Sequence, residues 1–155
     1  FGKEGEHEVS EYFINKGYSI LPLYQFTDDL APKIYHKTML ITSPDLFVSG
    51  NNKVFWVEVK TKNRWIKYKG VIETGCDLRL YREYIQVTQL TNLPVFMVFN
   101  HKDEAPNGFY FIDISSPLYR IWDGINCKTN KRISPPMALW LFDNLSLFFF
   151  TTEKN

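Results

Sequence analysis

The chain has 155 residues, 45% of them hydrophobic and 17% aromatic, and 18 Lys and Arg against 17 Asp and Glu leave a formal net charge of +1. A chain of this length buries roughly 70% of its unfolded surface, so a single domain over residues 1–155 is expected without staples. The near-neutral balance excludes a polyanion binder driven by bulk charge and leaves any nucleic-acid affinity to local patches.

The opening segment Gly2 to Lys16 reads as a helix closed at Gly17, a suitable C′ residue. Glu6 shares a stripe with Val9 and Phe13 and so faces the buried side, whereas Glu4, Glu8 and Glu11 fall on solvated faces. The macrodipole favours acids at helix starts, which is the bland account of all four. Tyr18 to Leu23 is a strand. The stretch 24–43 is a long insertion without a clear element, and loops of that length are often functional. Turn chemistry accounts for Asp28 and Asp29, and a surface position for His36.

Pro44 to Val48 and Val54 to Lys60 then form a hairpin around Gly50-Asn51-Asn52. Alternation puts Glu58 and Lys60 on one face with Trp56 and Val54, and Phe55, Val57 and Val59 on the other. With a two-residue type I′ turn at Asn51-Asn52, Gly50 faces Lys53 and Asp45 falls opposite Glu58. Their Cβ atoms are then about 4.5–5.5 Å apart. Two like charges at that separation repel by about 3 kcal/mol at an effective dielectric of about 20, a cost that a shared divalent cation removes. Hard oxygen ligands favour Mg²⁺ or Mn²⁺ over zinc. Lys60, next on the same face, is placed to lower the pKa of an attacking water or to stabilise charge developing on a phosphate. The implied chemistry is phosphodiester hydrolysis, although Asp followed by Glu-x-Lys also occurs as ordinary cross-strand charge pairing.

Basic residues follow at once: Lys60, Lys62, Arg64, Lys67 and Lys69, interleaved with Trp65 and Tyr68, make a candidate phosphate-binding patch. Trp65 is either a base-stacking ring or core. Asp77 is the expected N-cap of a helix through Thr91, with Leu78, Tyr81, Ile85 and Thr88 as its apolar stripe. Arg79, Arg82, Gln86 and Gln89 share its polar face, where Arg suits phosphate and Gln suits a bound water. Leu93 to Phe99 and Phe109 to Ile114 read as strands around a polar loop at 101–108. After Pro117 a short helix through Trp122 is expected, then a mobile loop from Asp123 to Pro136, an edge strand from Met137 to Phe142, and a last short helix capped by Asp143 that buries Leu145, Phe148 and Phe149. The order gives an α/β or α+β architecture, a mixed central sheet flanked by helices.

Cys76 and Cys127 fit no zinc spacing, so both read as structural thiols in a reducing compartment. No leader sequence opens the chain, and the apolar run 139–150 is interrupted by Asp143 and Asn144, so a soluble cytoplasmic protein without membrane contact is expected.

Glu6 with Gly17 and Tyr18, the run Pro44-Asp45-Leu46-Phe47-Val48-Ser49-Gly50 leading to Trp56-Val57-Glu58-Val59-Lys60-Thr61-Lys62, and Tyr68-Lys69-Gly70 resemble the PD-(D/E)XK nuclease superfamily, and within it the archaeal-type Holliday junction resolvases. The resemblance runs from about residue 6 to residue 70. It implies a restriction-endonuclease-like core, with Asp45, Glu58 and the backbone carbonyl of Val59 as metal ligands, Lys60 as catalytic lysine, Glu6 as accessory acid, and Mg²⁺-dependent cleavage leaving a 5′-phosphate. The expected function is a metal-dependent endonuclease acting on DNA in repair, recombination or mobile-element processing. The alternatives are a Holliday junction resolvase proper, or a non-catalytic module in which Trp65, Tyr68, Trp122 and Trp140 stack on bases. The aromatic-rich extension 115–155 also suits a homodimer interface.

Overall fold

The computed structural model describes residues 2–23 and 32–149. Helix α1 (Gly2–Asn15) ends as Gly17 requires: Gly17 has φ +87°, its N–H donates to the Ile14 carbonyl, and the Tyr18 N–H donates to Phe13, each at 3.0 Å. Those paired bonds satisfy carbonyls that a helix end otherwise leaves open. Val9 and Phe13 are buried against Phe55, Val57 and Val59.

Strand β1 (Ser19–Pro22) is followed by a hairpin of β2 (Lys33–His36) and β3 (Met39–Thr42). The insertion therefore carries an element, contrary to the sequence expectation. Ile34 and Ile41 point to the core, whereas Tyr35, Met39 and Leu40 are exposed, so the ribbon is apolar on both faces and its period of two is masked. Asp28 and Asp29 lie outside the described residues.

Strands β4 (Leu46–Gly50) and β5 (Lys53–Lys62) make the expected hairpin. Asn51 and Asn52 have φ of 50° and 59°, and Gly50 pairs with Lys53. Then come β6 (Ile66–Tyr68), β7 (Val71–Asp77), α2 (Leu78–Thr91), β8 (Val95–His101), β9 (Gly108–Asp113), β10 (Arg120–Trp122), β11 (Ile125–Asn126), β12 (Lys131–Arg132), β13 (Met137–Leu141), a 3₁₀ turn at Phe142–Asn144 and β14 (Ser146–Phe149).

The central sheet has the order β1-β4-β5-β8-β9-β14, with β5 and β8 parallel and its other pairs antiparallel, so it is mixed as expected. Helix α1 covers one face and α2 the other, where Tyr84 and Val87 pack with Val95, Met97, Phe99, Ile112, Ile114 and Trp140. The buried stripe of α2 is thus rotated from the expected Leu78, Tyr81, Ile85 and Thr88, which are only half-buried. Asp77 occupies the N-cap position without a side-chain capping bond, and the Leu78 N–H donates to the Pro136 carbonyl instead.

A second antiparallel sheet, β10-β13-β7-β6, corrects the reading of the C-terminal third. Residues 120–122 form β10 and not a helix, the 123–136 loop contains the β11–β12 ribbon, and β13 is an interior strand. The expected final helix is the 3₁₀ turn plus β14, an edge strand on β9. Leu145 is half-buried, and the side chains of Phe148 and Phe149 lie outside the described residues. Close approach of β7 to β13 depends on Gly75, where a Cβ would stand 1.9 Å from the Ala138 carbonyl oxygen. Gly75→Ala is expected to cost about 1–3 kcal/mol, read as a lower urea midpoint.

Candidate active site

The β4–β5 hairpin assembles the site. Its register pairs Leu46 with Val57, so the next step outward sets Asp45 beside Glu58. Glu58 and Lys60 follow Trp56 on the sheet face opposite α1, because Phe55, Val57 and Val59 take the α1 face. Asp45 is 7% and Glu58 2% exposed. The Val59 N–H donates to Asp45 Oδ2 at 2.8 Å, and the Asp45 N–H donates to Glu58 Oε2 at 3.2 Å. Lys60 Nζ stands 2.6 Å from Glu58 Oε1. Two buried carboxyl groups and one partly exposed ammonium therefore stand together, each oriented by the backbone or by its neighbour.

Electrostatics reflect that crowding. Burial, then the Glu58 charge, hold the Asp45 carboxyl well above its ordinary value, against the opposing Val59 hydrogen bond. Burial pulls the Lys60 ammonium down, but Glu58 and Asp45 more than offset this and leave it raised. Glu6, half-buried on α1, is also raised, by burial first and then by Glu58, with Lys60 opposing. Glu6 thus lies in the field of the site. Among the described residues no group of three or more His, Cys, Asp or Glu side chains stands in a metal-holding arrangement.

Along the same face Lys62 is half-buried and lowered, chiefly by burial. Its register partner on β8 is His101, which sequence reasoning passed over as the start of a loop. Trp65 stacks on His101 with centroids 3.5 Å apart and planes 4° from parallel, and its indole N–H donates to the Glu104 carbonyl. Trp65 is therefore core and not a base-stacking ring, and Trp140 is likewise fully buried. Burial lowers His101 to about 4, with Nε2 3.0 Å from Thr74 Oγ1. Since the folded state disfavours the imidazolium, stability is expected to fall as pH drops from about 6.5 towards 4, by about 3 kcal/mol, and His101→Gln to flatten that limb of the pH-stability curve.

The remaining nucleic-acid candidates separate. Arg64, Lys67, Tyr68 and Lys69 are exposed; Lys67 pairs with Glu104, and Lys69 sits over the Tyr68 ring. Arg79, Arg82, Gln86 and Gln89 are exposed on α2, and the first three line a shallow cleft with Pro135 and Pro136 in which Asp45, Glu58 and Lys60 take no part. The structure therefore brings Asp45, Glu58 and Lys60 together with Glu6 and Lys62 nearby, and places the α2 arginines elsewhere. Burial pushes the Cys76 thiol up to about 12, in keeping with a structural role. No helix among the described residues is long and apolar enough to cross a membrane.

No family model and no curated protein matches the sequence. Among solved structures, the chain superposes on Hjc, a Holliday junction resolvase of the archaeal hyperthermophile Archaeoglobus fulgidus, with a TM-score of 0.51 and 10% identity over 77% of this chain and 81% of that one. The likeness is one of fold. The chain carries its carboxylate pair on the β4–β5 hairpin of the mixed sheet.

Proposed function

We propose that the protein is a metal-dependent endonuclease that hydrolyses phosphodiester bonds of DNA. The observation that carries this reading is the buried Asp45–Glu58 pair with Lys60 beside it. A structural role does not explain two adjacent carboxylates held away from water, one of them pushed towards its neutral form.

The donor set fits a hard divalent cation. Asp45 and Glu58 supply carboxylate oxygens, and the Val59 carbonyl lies along the same strand edge as the Val59 N–H that meets Asp45. When bound, Mg²⁺ or Mn²⁺ supplies a charge partner for phosphoryl oxygens and lowers the pKa of a nearby water. Lys60, fixed by Glu58, places a fully charged ammonium where negative charge develops on the scissile phosphate, and burial strengthens its effect. Glu6, with its raised pKa, is placed to accept or release a proton at the margin of the site. Arg64 and Lys69, exposed just beyond β5, supply phosphate contacts, with Lys62 at the edge of the site.

A cleavage panel of single-stranded, duplex, flap and four-way substrates tests this reading. Nicking with Mg²⁺ or Mn²⁺ that stops with EDTA is expected. Binding with a salt slope but no nicking under any divalent metal would leave a non-catalytic binding module. The likeness to Hjc favours the four-way junction within the panel, and a preference for it over flap and duplex would make the protein a junction resolvase acting in recombination, repair or mobile-element processing.

A further inference from the structure

The outer face of the second sheet carries a cleft of about 620 Å³ between β6 and the β11–β12 ribbon. Along β7, Thr74 and Cys76 face the central sheet, since Thr74 meets His101 and Cys76 lies in the core. Alternation turns Glu73 the opposite way. Glu73 is fully buried, and Arg120 Nε donates to both its oxygens at 3.0 Å. The Arg120 guanidinium also lies 4.2 Å from the centroid of the Tyr68 ring. An arginine braced in this way is fixed in position, and because its bonds to Glu73 use Nε alone, its two Nη groups are left for a ligand of the cleft it lines.

We propose that this cleft holds an unpaired nucleotide of a DNA strand, its phosphate on Arg120 and Lys128 and its base against the ring of Trp122. The volume falls within the roughly 300–1,000 Å³ typical of small-ligand sites. From Gly124 to Met137 the chain carries Lys128, Lys131 and Arg132 and no acid, so the ribbon that walls the cleft is positive. Asp123, the acid at its base, spends Oδ1 on the Ile125 N–H. Lys67 is held by Glu104 and takes no part. The Trp122 indole N–H donates to the Ile125 carbonyl at 3.1 Å, which fixes the ring edge and leaves its face for stacking. Such a face is useful only to a base outside a duplex stack. The site lies across the second sheet from Asp45, Glu58 and Lys60, and its occupancy requires no metal.

The test uses fluorescein-labelled oligothymidylate and a blunt duplex of equal length, both in EDTA so that chemistry plays no part. Lys128→Ala is expected to weaken single-strand binding about tenfold and to lower the slope of log affinity against log salt by about 0.7. Arg120→Lys, which keeps a cation against Glu73 but loses the fork, is expected to weaken it by about the same factor. Quenching of tryptophan fluorescence by the oligonucleotide is expected in the parent protein and lost in Trp122→Phe. Unchanged single-strand affinity in Lys128→Ala and Arg120→Lys overturns the proposal, as do equal losses on duplex and single strand. Failure of the nuclease reading would show separately, as absent cleavage with this binding intact.

Discussion

Asp45→Asn is expected to abolish cleavage and, at the same time, to raise the thermal stability of the metal-free protein. Asn still accepts the Val59 hydrogen bond but removes a charge that burial and Glu58 both oppose. Loss of a metal-binding, charge-stabilising group costs at least about 10²–10³ in rate. In the metal-free protein the folded-state pKa of Asp45 lies above its unfolded value of 3.8, so folding takes up a proton. Stability is therefore lost as pH rises from 3.8 through the raised value, and the full cost is present above it. Removing that cost is expected to gain about 1–3 kcal/mol at neutral pH, roughly 2–4 °C in Tm for each kcal/mol. Mg²⁺ at about 100 times its Kd should add about 2.7 kcal/mol to the parent and nothing to Asp45→Asn or Glu58→Gln. Calorimetry with and without Mg²⁺ reads both effects. A variant that cleaves normally, or a metal-free Tm below that of the parent, would contradict the carboxylate assignment.

The second large effect is on folding. Arg120→Ala leaves the fully buried Glu73 without its cation, and is expected to destabilise the protein by about 3–5 kcal/mol. Arg120→Lys should recover part of that loss, and Arg120→Met combined with Glu73→Gln more of it, because the double change removes the buried Glu73 charge together with its partner. Thermal unfolding followed by circular dichroism measures the series. A loss below about 1 kcal/mol for Arg120→Ala would mean that Glu73 reaches water.

The central hairpin was legible because each of its determinants is local. Asn51-Asn52 selects a turn with two left-handed residues, the turn sets the register, and alternation then brings Asp45 to Glu58 and Lys60 to the same face. The end of α1 was legible for the same reason, with Gly17 at the residue that needs positive φ. The second sheet was not, because β7 finds its partner β13 far along the chain, and β6 and β10 are too short to show alternation. Leu145, Phe148 and Phe149 have helical spacing, yet residues 146–149 complete the edge of the central sheet. The apolar stripe of α2 was displaced because the helix packs against the second sheet and β3 as well as the central sheet, which makes Tyr84 and Val87 the centre of the contact. Arg120 was overlooked because its partner Glu73 lies on a strand that local pattern did not reveal.

Strand β13 is wedged between β10 and β7, and β7 supplies the wall that stands over Lys62 and His101. Ribosome-bound chains that already include Asp45, Glu58 and Lys60 accordingly lack that wall until Leu141 has emerged. Protease digestion of stalled nascent chains is expected to show resistance appearing only at that length. The cover over that end of the central sheet is thus among the last parts of the described chain to be completed during synthesis.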